Sequence, residues 1–347
     1  MFNKNLKYYR LQKNMSKKEL ADKCGVSAMA ITHYENGDRK PDIDMIKKLA
    51  ETLGVFVADF LAERNTSLSF VHGEFRKQAS LPESKQEYIR ESVEEYFSRF
   101  FDAVECLGGN PLPEPPETEN VNWDEDVERC AERIKQALGL PKSGPVKELY
   151  AVLENKGFLI MELDVDSRKF SGMNGKVNQY PYIVVNENMS PERKRSTIAH
   201  ELVHIMSSDK NCSEEAEEEK RATAVAGAFL ISLDDVHREL GAHRTRVTKD
   251  YILTCEEYGI SMYLLVKRAA LAGIISSSLE KNFYIRANKA GYQTNEPVYI
   301  KDPESPTLLR QLVYRAVNEE GLSMARGAEL LGTSIAEMEQ FCGLAVT

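Results

Sequence analysis

Ser190-Pro191-Glu192-Arg193-Lys194-Arg195-Ser196-Thr197-Ile198-Ala199-His200-Glu201-Leu202-Val203-His204-Ile205-Met206 is the stretch on which the reading of this chain turns. A serine followed by proline at the first helical position opens a helix, because the hydroxyl can accept an orphan amide and the proline has no N–H to leave unsatisfied. Ile198, Leu202, Ile205 and Met206 recur at helical spacing and give that helix a buried face. His200 and His204 are four residues apart, an advance of about 400°, so both imidazoles leave the helix on one side, a turn apart. That is the spacing of two ligands to a tetrahedral zinc ion, and Glu201 beside them is placed to act as a general base toward water.

A catalytic zinc site needs a third protein ligand. The next helix is expected through Glu214–Ile231, with an apolar stripe of Ala222, Val225, Ala226, Phe229 and Leu230. Its leading acidic run is of the kind that ordinarily makes a solvated helix face. Stepping about 100° per residue brings Glu215, Glu218 and Glu219 near the direction of the stripe and sends Glu214 and Glu217 away, so periodicity leaves three candidates. Upstream, the pattern predicts two helices within 122–156 and short strands at Phe158–Leu163 and Tyr182–Val185, hence an α+β domain with a small sheet. Residues 248–347 read as mostly helical, with a short strand at Tyr299–Ile300.

The 347 residues suffice for two or three domains. Apolar residues make up 42%, and no apolar run approaches the ~18 needed to cross a bilayer, which excludes a membrane-spanning protein. The N-terminus carries neither an apolar core segment nor a small-residue cleavage site, so a cytoplasmic protein is expected. Six cysteines (Cys24, Cys106, Cys130, Cys212, Cys255, Cys342) lie singly, which predicts reduced thiols. The net charge of −9 is uneven: residues 1–65 hold 12 Lys/Arg against 9 Asp/Glu, and the remainder 33 against 45. A basic head on an acidic body suits nucleic-acid binding.

In that head, Ser16 with Glu19 three residues on forms a capping box that opens a helix at Lys17. The helix ends at Gly25 and another opens at Ser27, a turn length that sets a second helix across the first. Such a second helix enters the major groove by its N-terminal side chains, here Ser27, Ala28, Met29 and Thr32, while Lys17, Lys18, Asn36, Arg39 and Lys40 are placed to meet phosphates. Ser16-Lys-Lys-Glu-Leu-Ala, Gly25-Val-Ser, Ile31-Thr-His-Tyr-Glu-Asn-Gly, Pro41 and Leu49-Ala-Glu-Thr-Leu-Gly resemble the XRE-type (lambda-repressor-like) helix-turn-helix domain over about 60 residues. Lys17 stands where many members have a base-reading Gln, so it is expected to meet phosphate. The resemblance implies a double-stranded DNA operator and, through operator symmetry, a homodimer. The Pro82–Glu105 segment carries an apolar stripe from Tyr88 to Val104 and is expected to be a packing or dimer-forming helix, followed by a Pro-rich linker from Gly108.

The His200-Glu-x-x-His204 motif followed by Glu219-x-x-Ala222-x-x-x-Ala226 and Phe229-Leu-Ile resembles the ImmA/IrrE family of metallopeptidases over roughly 125–275. The resemblance implies Zn²⁺ as cofactor, His200, His204 and Glu219 as its ligands, Glu201 as catalytic base, and a protein substrate such as a repressor cleaved in a stress response. Val203, Thr223 and Ser232 replace a common glycine, Asn/Asp and proline; loss of the Asn/Asp is expected to remove a partner that orients a histidine. Two other readings are open on the sequence: a non-catalytic transcription factor or antitoxin, and a zinc-sensing regulator with a structural metal.

The expected fold class is a mainly α helix-turn-helix bundle, an α+β zincin-like domain with a small sheet, and a helical C-terminal region. The expected bounds are 1–70, a helix and linker over 71–121, 122–275, and 276–347. Thr248–Ile275 resembles the family's helical continuation, with Tyr258-Gly-Ile-Ser as a turn between two helices. Leu322-Ser-Met-Ala-Arg-Gly-Ala-Glu-Leu-Leu-Gly-Thr-Ser334 echoes Met15–Ser27 position by position. Glu337 and Glu339 in the would-be reading helix repel phosphates, so a protein-binding or dimerising pair is expected there.

Overall fold

The computed structural model describes residues 1–73, 81–117, 125–207 and 215–342, with Cys212 and the Glu215 side chain outside them. The chain divides into two compact units: Met1–Pro111 with the segment from Leu309, and Leu112–Leu308. No helix among the described residues is long and apolar enough to cross a membrane.

The first unit opens with five helices, α1 (Phe2–Gln12), α2 (Lys17–Cys24), α3 (Ala28–Asn36), α4 (Ile43–Leu53) and α5 (Val57–Leu61), closed around Leu6, Leu20, Ile31, Leu49, Leu53 and Phe60. The capping box forms: Glu19 N donates to Ser16 Oγ at 3.1 Å and Ser16 N to Glu19 Oε2 at 2.7 Å. Gly25 stops α2 at φ 69°, ψ 33°, a left-handed conformation that costs glycine no Cβ clash, and so turns the chain into α3. A short strand β1 (Phe70–His72) precedes α6 (Glu83–Cys106). The stripe of α6 is buried within this unit through Ile89, Val93, Phe97, Phe100, Phe101 and Val104, so its apolar face is covered by its own chain.

The second unit begins with α7 (Val127–Ala137) and α8 (Leu149–Glu154), followed by strands β2 (Leu159–Leu163), β3 (Gly172–Val177) and β4 (Tyr180–Asn186). β4 pairs in parallel with β2 and antiparallel with β3. All seven residues of β4 are buried, as a strand covered on both faces requires. The sequence pattern does not predict β3: Gly172-Met-Asn-Gly-Lys-Val lacks β-branched and aromatic residues over most of its length. Its place is set by the two-residue turn Asn178-Gln179, where Asn178 takes φ 54°, and by the register against β4. Helices α9 (Pro191–Met206), α10 (Glu215–Leu230), α11 (Leu233–Leu240), α12 (Asp250–Tyr258), α13 (Met262–Leu271) and α14 (Ser277–Lys289) complete the unit around one core. The turn at Gly259 joins α12 to α13 at φ 63°. The strand expected at Tyr299–Ile300 does not form; Tyr299 N bonds to Glu256 Oε1 at 3.2 Å instead of entering a ladder.

α15 (Leu308–Glu319), α16 (Met324–Leu331) and α17 (Ile335–Cys342) end the described chain. α16 and α17 repeat the α2–α3 device: Ser323 caps α16, Gly332 stops it at φ 64°, ψ 33°, and Ser334 caps α17. Met338 is buried at the position equivalent to Ile31.

Candidate metal centre

α9 is fixed through its N-terminal half. Ser190 is its N-cap residue but spends its hydroxyl on the Glu192 carboxylate, and Pro191 supplies the first helical φ. Arg195 is buried and donates to the Gly259 and Val146 carbonyls and to Glu304, which ties the helix to the α12–α13 turn. Ile198, Ala199, Leu202, Val203 and Met206 face the core. His200, Glu201 and His204 are thereby left on the opposite side, half-buried.

α10 presents the carboxylates. Ala222, Val225, Ala226, Phe229 and Leu230 anchor it in the core, and Arg268 holds its C-terminal end by donating to the Ile231 carbonyl at 3.0 Å and to Glu128 at 2.6 and 2.8 Å. Three residues before Ala222, Glu219 lies across both imidazoles: Oε2 is 3.4 Å from His200 Nε2 and Oε1 is 3.3 Å from His204 Nε2. The two Nε2 atoms are 3.1 Å apart. Glu218 faces the other side of His204, its Oε1 3.6 Å from Nδ1, and Glu217 is exposed. Thr223 Oγ1 stands 3.4 Å from His200 Nδ1, so a hydroxyl occupies the place where an Asn or Asp was expected to be missed.

Both histidines thus turn Nε2 toward one point shared with Glu219, and both Nδ1 atoms toward oxygens that can fix ring tautomer and orientation. Two imidazole nitrogens and one carboxylate make the donor set of a catalytic zinc site with a position left for water. His200, His204 and Glu219 form the only such ligand group among the described residues. Glu201 points to β3, where Asn174 Nδ2 donates to its Oε2 at 2.7 Å. Neither Asn174 nor the outer role of Glu218 was legible in the sequence.

In the head, the residues singled out for DNA lie on or beside α3. Ala28 and Met29 are exposed, Met29 by 63%. Ser27 is committed to the helix cap, accepting from Ala30 N at 3.1 Å, and the Thr32 hydroxyl donates to the Ala28 carbonyl at 3.1 Å. Arg39, Lys40 and Lys18 are exposed, and Asn36 leans on Asp38 at 3.4 Å. Lys17 is 3.7 Å from Glu35.

Fold and cluster together define a helix-turn-helix protein with a metal-ligand group in an α+β unit. Residues 6–58 match the helix-turn-helix family model, and residues 153–270 match that of the IrrE N-terminal-like domain. The chain is 33% identical over 84 residues to the HTH-type transcriptional regulator YqaE of Bacillus subtilis, covering 24% of this chain and 72% of that protein. It is 26% identical over 90 residues to the cryptic phage CTXphi transcriptional repressor RstR of Vibrio cholerae, covering 26% and 81%. A third relative, the HTH-type transcriptional regulator MJ0272 of Methanocaldococcus jannaschii, is 41% identical over 54 residues, covering 16% and 82%. The chain belongs to the family of HTH-type transcriptional regulators and carries an IrrE N-terminal-like domain in addition.

Proposed function

We propose that this regulator is also a zinc-dependent endopeptidase that cleaves a partner regulator such as a repressor. The observation that carries the reading is the convergence of His200 Nε2, His204 Nε2 and both Glu219 oxygens within 3.1–3.4 Å, with Glu201 next to it. A zinc ion held by these three side chains would supply the Lewis acidity that polarises a peptide carbonyl and acidifies water. Glu201 takes the proton from the attacking water and returns it to the leaving amine. Glu218 and Thr223 hold the two rings from behind.

The head binds a two-fold operator as a homodimer, with Ala28, Met29 and Thr32 toward base edges and Lys17, Asn36, Arg39 and Lys40 toward phosphates; Ser27 contributes by capping α3. The test pairs metal analysis of the purified full-length chain with incubation against the product of the adjacent gene. One zinc per chain and cleavage by wild type but not by Glu201→Gln are expected. Cleavage by both proteins, or by neither with zinc bound, would remove the peptidase assignment and leave a metal-ordered or non-catalytic regulator.

A further inference from the structure

The geometry points to Asn174 of β3 as the residue that positions the Glu201 carboxylate, an inference that rests on the peptidase reading above. Glu201 leaves α9 on a side chain with several rotatable bonds, and nothing in the H-E-x-x-H spacing fixes where its oxygens go. Asn174 Nδ2 donates to Oε2 at 2.7 Å, a short bond for an amide nitrogen and one strengthened by the charge on the acceptor. An amide is well matched to this role, because it orients the carboxylate through a donor that does not itself take or give up the proton, and the oxygen pair keeps its capacity as a base.

The contact depends on an unusually close approach of strand to helix. A Cβ on Gly172 would come within 2.6 Å of Thr197 Cγ2 and 2.8 Å of the Val184 carbonyl oxygen, and 3.7 Å from Glu201 Cγ. Only a residue without a side chain lets β3 lie against α9 at that height. Gly172 and Asn174 are two apart on a strand and share a face; Thr197 and Glu201 are four apart on a helix and share a face. The pairs meet: the glycine admits Thr197, and two residues on, the amide reaches Glu201.

The test uses the full-length, zinc-loaded chain with the adjacent gene's product as substrate. Asn174→Ala is expected to lower kcat ten- to a hundredfold, about what loss of such a partner costs, with KM and zinc content unchanged. Asn174→Asp keeps the size and loses the donor, and is expected to fall as far. Independently of activity, in protein labelled with ¹⁵N-asparagine the Asn174 side-chain amide signal, assigned by its loss in Asn174→Asp, is expected downfield and to return to the ordinary range in Glu201→Ala. A kcat within twofold of wild type in both variants, a loss carried by KM or by zinc, or an amide signal indifferent to Glu201→Ala would each overturn the assignment. Were the wild type to bind zinc and cleave nothing while the amide still answers to Glu201, the peptidase reading would fall and the positioning contact would stand.

Discussion

Arg10 and Glu35 form a bidentate ion pair inside the helix-turn-helix head: Arg10 Nη2 lies 3.0 Å from Glu35 Oε2, Nε bonds to Oε1, and Nη1 donates to the Met15 carbonyl at 2.8 Å. Both side chains are almost wholly buried, so α1 is fastened to α3 by charges that water cannot replace. Removing one partner strands the other in the interior. Glu35→Leu is therefore expected to cost about 3–5 kcal/mol of unfolding free energy, whereas Arg10→Met combined with Glu35→Leu is expected to cost less than the sum of those two single changes. Urea denaturation of the four proteins decides it; additive losses would show the pair to be uncoupled.

Zinc titration is expected to separate the residues of the cluster by role. His200→Ala, His204→Ala and Glu219→Gln each remove a donor from the shared point and are expected to abolish stoichiometric zinc. Glu218→Ala and Thr223→Ala leave the donors and loosen the rings, so zinc remains but binds roughly ten- to a hundredfold more weakly in competition with a chelating dye. At free zinc about 100 times the dissociation constant, the wild type gains roughly 2.7 kcal/mol, visible as a raised melting temperature that His200→Ala does not share. Full zinc occupancy in His200→Ala would contradict the ligand set.

How far this centre could be seen in the sequence follows from how each part is encoded. His200, Glu201 and His204 share one helix, so their relation is a matter of residue spacing alone. The choice among Glu215, Glu218 and Glu219 depends on the rotation of α10 about its own axis, which is set by distant anchors such as Arg268 on Ile231 and Glu128; periodicity could narrow the set but not choose within it. Asn174 was invisible because β3 has little strand propensity of its own and takes its register from β4. The apolar stripe of α6 was plain in the sequence, but its burial within its own unit was not, since an amphipathic pattern states that a face is covered and not by what. The Ser-Gly-Ser spacing of both helix pairs, by contrast, is local chemistry and produced the same turn twice.

Glu296 gives the second unit a pH-dependent stability. Burial, reinforced by the nearby Glu192 carboxylate and opposed by the hydrogen bond from Met262 N at 2.7 Å, pushes its carboxyl up to about 7. A carboxyl raised above its unfolded value of about 4.5 binds its proton more tightly in the folded protein, so its contribution is fully present below that value and is lost as pH rises through about 7. Glu296→Gln, which keeps an acceptor for Met262 N, is expected to melt increasingly above wild type as pH climbs from about 5 to about 8. A constant difference between the two melting curves across that window would show that Glu296 does not titrate there.

The two helix pairs predict an asymmetry in DNA binding. α3 exposes Ala28 and Met29 with Arg39 and Lys40 just beyond it, whereas α17 exposes Ile335, Glu337 and Glu339 at the matching face. The Glu337 carboxylate is further held well below the usual range, at about 2, by hydrogen bonds from Thr333 and Ser334, so it is ionised at neutral pH. A negative face of this kind is repelled by phosphates, and the shared backbone geometry does not offset it. Against an operator selected from a random-sequence duplex library, Met29→Ala is expected to weaken binding by about 1–3 kcal/mol and to relax preference at one base position. Arg39→Ala weakens binding evenly across sequences and lowers the slope of log affinity against log salt by about 1. Glu339→Ala removes only a negative charge, and Glu337→Ala removes one together with the bonds from Thr333 and Ser334 at the start of α17; with α17 expected to stay off the duplex, both are expected to leave affinity within about twofold and the salt slope unchanged. Gel-shift titrations at several salt concentrations measure all four; a steeper salt slope in the α17 variants would place that helix, too, against the phosphate backbone.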